Sequence, residues 1–150
     1  MINRTLVRSK VLLSLFSYYS TGCTPTTAKK ELLSSFDDTY KLYFLLLGLV
    51  DEITRFAEEK IEENRERAQA MHTGFDANPR FVNNRFAAQL FNNRTLRQKN
   101  DEWDLKWDSA HDVIATLYKK IVEAAFYQDY MQSQESSYEA DKTLWRKIYT

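Results

Sequence analysis

Between Ala28 and Met71 the chain has no proline and one glycine, Gly48. Such a stretch has almost no turn chemistry, so it must run as one regular element or be disordered. Its apolar residues decide for a helix. Leu32, Leu33, Phe36, Tyr40, Tyr43, Leu47, Val50, Thr54, Ala57 and Ile61 keep a three/four spacing, the period of one helical face. A helix of this length spans around 60 Å at about 1.5 Å per residue, with Gly48 as the place for a bend. Its end, EEKIEENRERAQA, is almost wholly polar and is expected to project into solvent, supported by charged neighbours along the helix.

The rest of the chain is equally poor in punctuation, with three glycines and two prolines in 150 residues. The expected class is therefore all-α: a single domain, 1–150, holding a helical bundle of about five helices, one of them very long, and no sheet. A first helix runs from Asn3, a good N-cap, to about Tyr19. Its stripe of Val11, Leu12, Leu15, Phe16 and Tyr19 is extended toward the amino end by Arg4 and Arg8. Pro25 marks a turn or a first helical position, with Thr24, Thr26 or Thr27 available as caps. The main loop is HTGFDANPRFVNN, where Asp76, Asn78 and Pro79 form turns and Asn83 or Asn84 can cap the next helix. A short helix fits Arg85–Phe91, with Phe86, Ala87, Leu90 and Phe91 facing in. NNRTLRQKNDEWDLKW reads as a polar connection. A long helix fits Asp108–Gln132, with Ala110, Val113, Ile114, Leu117, Ile121, Ala124 and Ala125 as its core stripe. Ser136 with Glu139 makes a capping-box pattern before a last helix through Leu144, Ile148 and Tyr149. That helix has no stop signal before Thr150, which suggests the front part of a longer protein.

The chemistry that a catalytic or metal site needs is missing from the pattern. The chain has two histidines, His72 and His111, and one cysteine, Cys23. There is no metal-ligand spacing, nucleophile elbow or phosphate loop, and the E-x-x-H pairs of a di-iron bundle are absent. Glu58, Glu59, Glu62 and Glu63 fall where a solvated helix end is expected. Trp103 and Trp107 read first as packing residues and only second as a stacking platform for bases. No enzyme, cofactor or metal is expected. The single cysteine excludes an internal disulfide framework and agrees with a reducing, cytoplasmic setting. The longest apolar run, Tyr43–Val50, is far below the roughly 18–20 residues that span a bilayer.

Net charge is zero, with 21 bases and 21 acids, yet the charges are segregated. Residues 1–30 hold five bases and no acid, and residues 77–100 hold another five and no acid. These are Arg4, Arg8, Lys10, Lys29 and Lys30, then Arg80, Arg85, Arg94, Arg97 and Lys99. Such blocks are where an anionic partner is sought, although charge runs on helices also serve simply as solvated faces. Arg4 falls in a first helical turn, where the helix dipole disfavours a cation by about 0.3–1 kcal/mol. The basic start before Cys23 also imitates a bacterial lipoprotein signal. The imitation breaks at Ser14, Ser17, Tyr18 and Tyr19, which weaken the apolar stretch, and at Ser20, where an aliphatic residue is usual.

The opening, RSKVLLSLFSYY from Arg8 to Tyr19, resembles the NusB family of transcription antitermination factors. Those proteins begin with an arginine-rich arm leading into a helix of the kind R-x-x-A-L-Q-x-L-Y, and Val11, Leu12, Leu15 and Phe16 stand at the family's core places. The M-I-N-R start, NPRFVNNRFAAQL, the tryptophan-containing stretch and YQDYM…SSYEADKTLWRKIY are similar to longer NusB-like proteins of the Bacteroidetes, which carry a large helical insertion after the first helix. The resemblance implies binding of single-stranded, boxA-like leader RNA together with the ribosomal protein also called NusE, inside an RNA polymerase antitermination complex. It implies RNA contact by Arg4, Arg8 and Lys10. Arg80, Arg85, Arg94, Arg97 and Lys99 extend the RNA track or merely solubilise a loop. The arm here is sparser than the family's, and the second helical bundle would lie beyond Thr150. The alternative is a non-catalytic helical module whose long helix presents a groove or stripe to another protein.

Overall fold

The proline-poor stretch is one continuous helix. A computed structural model describes residues 3–75 and 77–150, and among them every regular element is helical. Met1, Ile2 and the expected turn former Asp76 lie outside the described residues. The elements are α1 (Arg4–Thr21), α2 (Pro25–Ala70), α3 (Arg85–Phe91), α4 (Arg94–Glu102), a 3₁₀ turn (Asp108–Ala110), α5 (His111–Glu123), α6 (Ala125–Gln132) and α7 (Tyr138–Ile148). The chain is all-α, as its punctuation implies. It divides into two compact units, 1–43 and 44–150, with α2 contributing to both.

In the first unit, α1 and the opening turns of α2 form a helical hairpin. Asn3 caps α1 by accepting from the Leu6 N–H at 2.8 Å. Gly22, at φ 63°, closes it, its N–H donating to the Tyr18 carbonyl at 3.0 Å. That left-handed conformation suits a residue without a Cβ. α2 starts three residues earlier than its apolar pattern suggests. Pro25 takes the first helical position, and Thr24 accepts from the Thr27 N–H at 3.2 Å. The hairpin is held by Lys10 Nζ donating to the Ser35 carbonyl at 2.7 Å and by Ser14 on the Ala28 carbonyl at 3.4 Å. No described side chain of this unit is buried. The stripe Val11, Leu12, Leu15, Phe16 and Tyr19 is exposed, and the half-buried residues of these turns of α1 are Lys10, Ser14, Ser17 and Tyr18.

The core lies in the second unit. Val50, Ile53, Phe56 and Ala57 of α2 pack with Phe81, Ile114, Ile121, Tyr127, Leu144 and Trp145. The register of α2 differs from the simple stripe. Phe44, Leu49, Ile53 and Phe56 are buried, whereas Tyr40 and Tyr43 are exposed. Phe81, in the turn before α3, is an aromatic hub with ring centroids 5.5 Å from Trp145 and 5.4 Å from Tyr127. Phe91 and Val113, expected to face in, are exposed. The charged end of α2 is solvated as expected, with pairs such as Lys60–Glu63 at 2.7 Å and Arg65–Glu62 at 2.6 Å. Exposed pairs of this kind contribute little to stability.

Two local differences bring the five expected helices to seven among the described residues, and a third moves a cap. The polar connection contains α4, capped by Asn93, which accepts from the Leu96 N–H at 3.0 Å. Only Leu96 of α4 is buried, too little for a periodicity to show. The helix expected over Asp108–Gln132 breaks at Ala124, whose backbone is extended at φ −74° and ψ 137°. No proline or glycine marks the break. Beyond it Tyr127 and Tyr130 are buried, and the Gln128 side chain donates to the Val122 carbonyl at 2.7 Å, serving one of the groups the break exposes. Finally, α7 is capped by Ser137 rather than Ser136, accepting from the Ala140 N–H at 3.1 Å.

The tyrosine-rich core sets a pH limit. Burial pushes the hydroxyls of Tyr118, Tyr127 and Tyr130 above the ordinary tyrosine value, and that of Tyr149 to about 12. A group with a raised folded-state pKa contributes its full stability below the unfolded value, about 10, and loses it as pH rises through the folded one. Alkaline unfolding between about pH 10 and 12 is therefore expected, with tyrosinate absorbance and loss of helical circular dichroism rising in one step. Tyrosine ionisation completed near pH 10 with helicity intact would contradict it.

Candidate nucleic-acid interface

The two acid-free blocks fold differently. In the first, Arg4 stands in the opening turn of α1, a turn with no acidic residue. Arg8 follows one turn later. Both are exposed, and among the described residues neither forms an ion pair or a side-chain hydrogen bond. Steps of four and then three residues carry the same face on to Leu12, Phe16 and Tyr19, which are 69%, 72% and 80% exposed. The outer face of α1 thus presents two guanidiniums followed by an apolar and aromatic strip. Lys10 is not part of it. Its ammonium is half-buried on the Ser35 carbonyl and lies 5.8 Å from the Phe36 ring. A cation so held is a clasp of the hairpin more than a free phosphate ligand.

The second block is mostly committed inward. Arg80 lies over the Tyr130 ring at 4.3 Å and donates to the Ser133 and Glu135 carbonyls. Arg85 donates from its side chain to Ser136 Oγ at 3.3 Å and from its backbone to Asp141 Oδ2 at 2.9 Å. These two arginines meet at the 133–136 turn and tie it down. On α4, Lys99 pairs with Glu102 at 2.7 Å and sits 4.8 Å from the Trp103 ring. Arg97 rests 5.7 Å from the Phe91 ring, and it counters the upward push on Asp51, whose carboxyl is raised first by burial and then by Glu52. Arg94 alone in this block is exposed with no ring, ion-pair or side-chain hydrogen-bond partner among the described residues. The five candidate cations of the second unit are therefore mostly engaged by separate partners within it.

The remaining candidates behave structurally. Trp103 meets Phe44 edge-on at 5.5 Å, and the Trp107 indole donates to the Leu45 carbonyl at 3.0 Å. The His111 ring, at the start of α5, packs 5.4 Å from Phe56. His72 lies in the turn after α2, at φ 53°. No group of three metal-ligating side chains comes together among the described residues, and none of their helices is long and apolar enough to cross a membrane. Sequence reasoning missed the buried Asn84–Tyr130–Asp141 cluster. Its available signal was an aspartate in the first turn of a helix, a position that normally faces solvent. No protein-family model, curated protein or solved structure matches this chain.

Proposed function

We propose that this chain is a transcription antitermination factor of the NusB type, a non-catalytic cytoplasmic protein that binds boxA-like leader RNA with a NusE-type ribosomal protein. The observation that carries the reading is the face of α1, where exposed Arg4 and Arg8 lie one turn apart ahead of exposed Phe16 and Tyr19. Guanidiniums bind phosphate through charge-assisted, often bidentate bonds. Unstacked bases of a single strand settle on aromatic faces. Both kinds of group stand along one helix edge. Fluorescence anisotropy with a boxA-like single-stranded RNA at two salt concentrations tests this. Each phosphate contact contributes about −0.7 to the logarithmic salt slope on a single strand. The Arg4→Ala/Arg8→Ala double variant is expected to bind more weakly and to flatten the slope by about 1.4. Equal affinity and equal slope in the variant would remove the arm from the reading.

A second reading is favoured by the size of the exposed strip. Leu12, Phe16 and Tyr19, with Leu13 beside them, form an apolar surface of the kind that marks a protein contact. In that reading α1 is an interaction helix, and Phe16→Ser would abolish partner binding while leaving RNA affinity unchanged.

A further inference from the structure

A groove of about 300 Å³ opens in the second unit among α2, α5, α6 and the end of α7. Its apolar lining is chiefly aliphatic, made by Leu49 and Ile53 of α2, Leu117 and Ile121 of α5, and Ile148, with one phenylalanine ring, Phe126 of α6. Lys120 and Lys147 line it, both exposed, and no acidic side chain does. Among the described residues neither lysine forms an ion pair, while the neighbouring Lys119 is paired with Glu123 at 4.0 Å. Arg146 adds a further positive charge on the α7 side. Tyr149 also lines the groove, its hydroxyl donating to the Leu46 carbonyl.

Lysines in the last turns of α5 and α7 also offset the helix dipoles. That accounts for their charge but not for the aliphatic opening between them. We infer that this groove docks an amphipathic helix of a protein partner, its apolar side chains entering between Leu117 and Ile148 and its flanking carboxylates meeting Lys120 and Lys147. Helix-in-groove recognition needs this combination, apolar anchors at i, i+3, i+4 and i+7 with charges at the edge. Charges at such a rim steer the partner and set its orientation. A nucleic acid fits less well. Its bases need aromatic or guanidinium planes, and this floor is chiefly branched aliphatic. The inference is independent of the RNA reading, since the groove lies in the second unit and the arm in the first.

The probe is a fluorescein-labelled peptide of about 18 residues, long enough to form a helix, with leucines at i, i+3, i+4 and i+7 and glutamates elsewhere. Its anisotropy is measured with the 150-residue chain. The peptide is expected to bind, and a lysine-for-glutamate version is not. Lys120→Glu/Lys147→Glu should weaken binding at least about tenfold. Leu117→Gln should weaken it similarly with the charges in place, and Arg4→Ala/Arg8→Ala should leave it unchanged. Circular dichroism confirms that each variant keeps its helices. Absence of binding by the acidic peptide, equal binding of both peptides, or unchanged affinity in the groove variants would overturn the inference. So would displacement of the bound peptide by a uridine oligonucleotide in the Arg4→Ala/Arg8→Ala background, which would make the groove a nucleic-acid site.

Discussion

Replacing Trp145 by alanine is expected to lower the unfolding free energy by about 4 kcal/mol, the usual scale for emptying a large aromatic site. Trp145 is 1% exposed and is the largest fully buried side chain of the second unit. It packs on Phe81, which in turn contacts Tyr118 and Tyr127. The cavity would therefore open where α5, α6, α7 and the turn before α3 converge. The indole Nε1 is buried with no hydrogen-bond partner among the described residues. An unsatisfied buried donor costs about 1–3 kcal/mol in desolvation. Trp145→Phe removes that donor and leaves a smaller void, so its net cost should be within about 1 kcal/mol. Urea unfolding followed by circular dichroism separates the two variants. A phenylalanine variant as unstable as the alanine one would mean that the Nε1 has a partner or that the site tolerates no loss of volume.

The long helix was readable because its signal is local. A long run without proline, one glycine and a three/four apolar spacing leave few alternatives, and Pro25 and Thr24 mark the start by their own chemistry. That pattern does not carry which side of the helix meets a core. Tyr40 and Tyr43 share the spacing of Val50 and Ala57 but are exposed, since the buried residues of the helix begin at Phe44. The break at Ala124 was illegible for the same reason. Its flanks, IVEA and AFYQ, hold no glycine or proline to stop a helix, so the extended residue follows from packing of Tyr127 and Tyr130 and from no local breaker. α4 shows the opposite limit, a helix set by its Asn93 cap with almost no apolar face.

The candidate interface was legible as charge and illegible as geometry. Absence of acids marked both basic blocks equally. Only the fold distinguishes Arg8, which has no side-chain partner among the described residues, from Arg80, which is spent on carbonyls and a tyrosine face, because the partners of Arg80 lie 50 to 55 residues away. Lys10 looked like part of the arm by sequence distance. Two residues beyond Arg8, about 200° around the helix, it turns from the Arg4–Arg8 face toward α2, where Ser35 accepts it.

Asp141→Ala is expected to cost about 3 kcal/mol, because it strips partners from two separate donors at once. The carboxylate is buried and accepts from the Tyr130 hydroxyl at 2.7 Å and from the Arg85 N–H at 2.9 Å. The Arg85 N–H is the first of α3, one of the orphan donors of a helix start. Asn84, wholly buried, serves another, its Oδ1 accepting from the Ala87 N–H at 3.0 Å. The Asn84 amide also donates to the Tyr130 hydroxyl at 3.3 Å and to the Asp141 carbonyl at 3.4 Å. The first turn of α7 thus completes the cap of α3, and Tyr130 of α6 locks the two together. Groups joined this way do not lose energy independently. Tyr130→Phe alone should cost about 1–2 kcal/mol, and combining it with Asp141→Ala should cost less than the sum of the two, since the Tyr130–Asp141 bond is lost only once. The cycle is measured by urea unfolding of the four proteins. Additive costs would show that the hydroxyl and the carboxylate act separately, and that the α3 cap does not depend on the contact between α6 and α7.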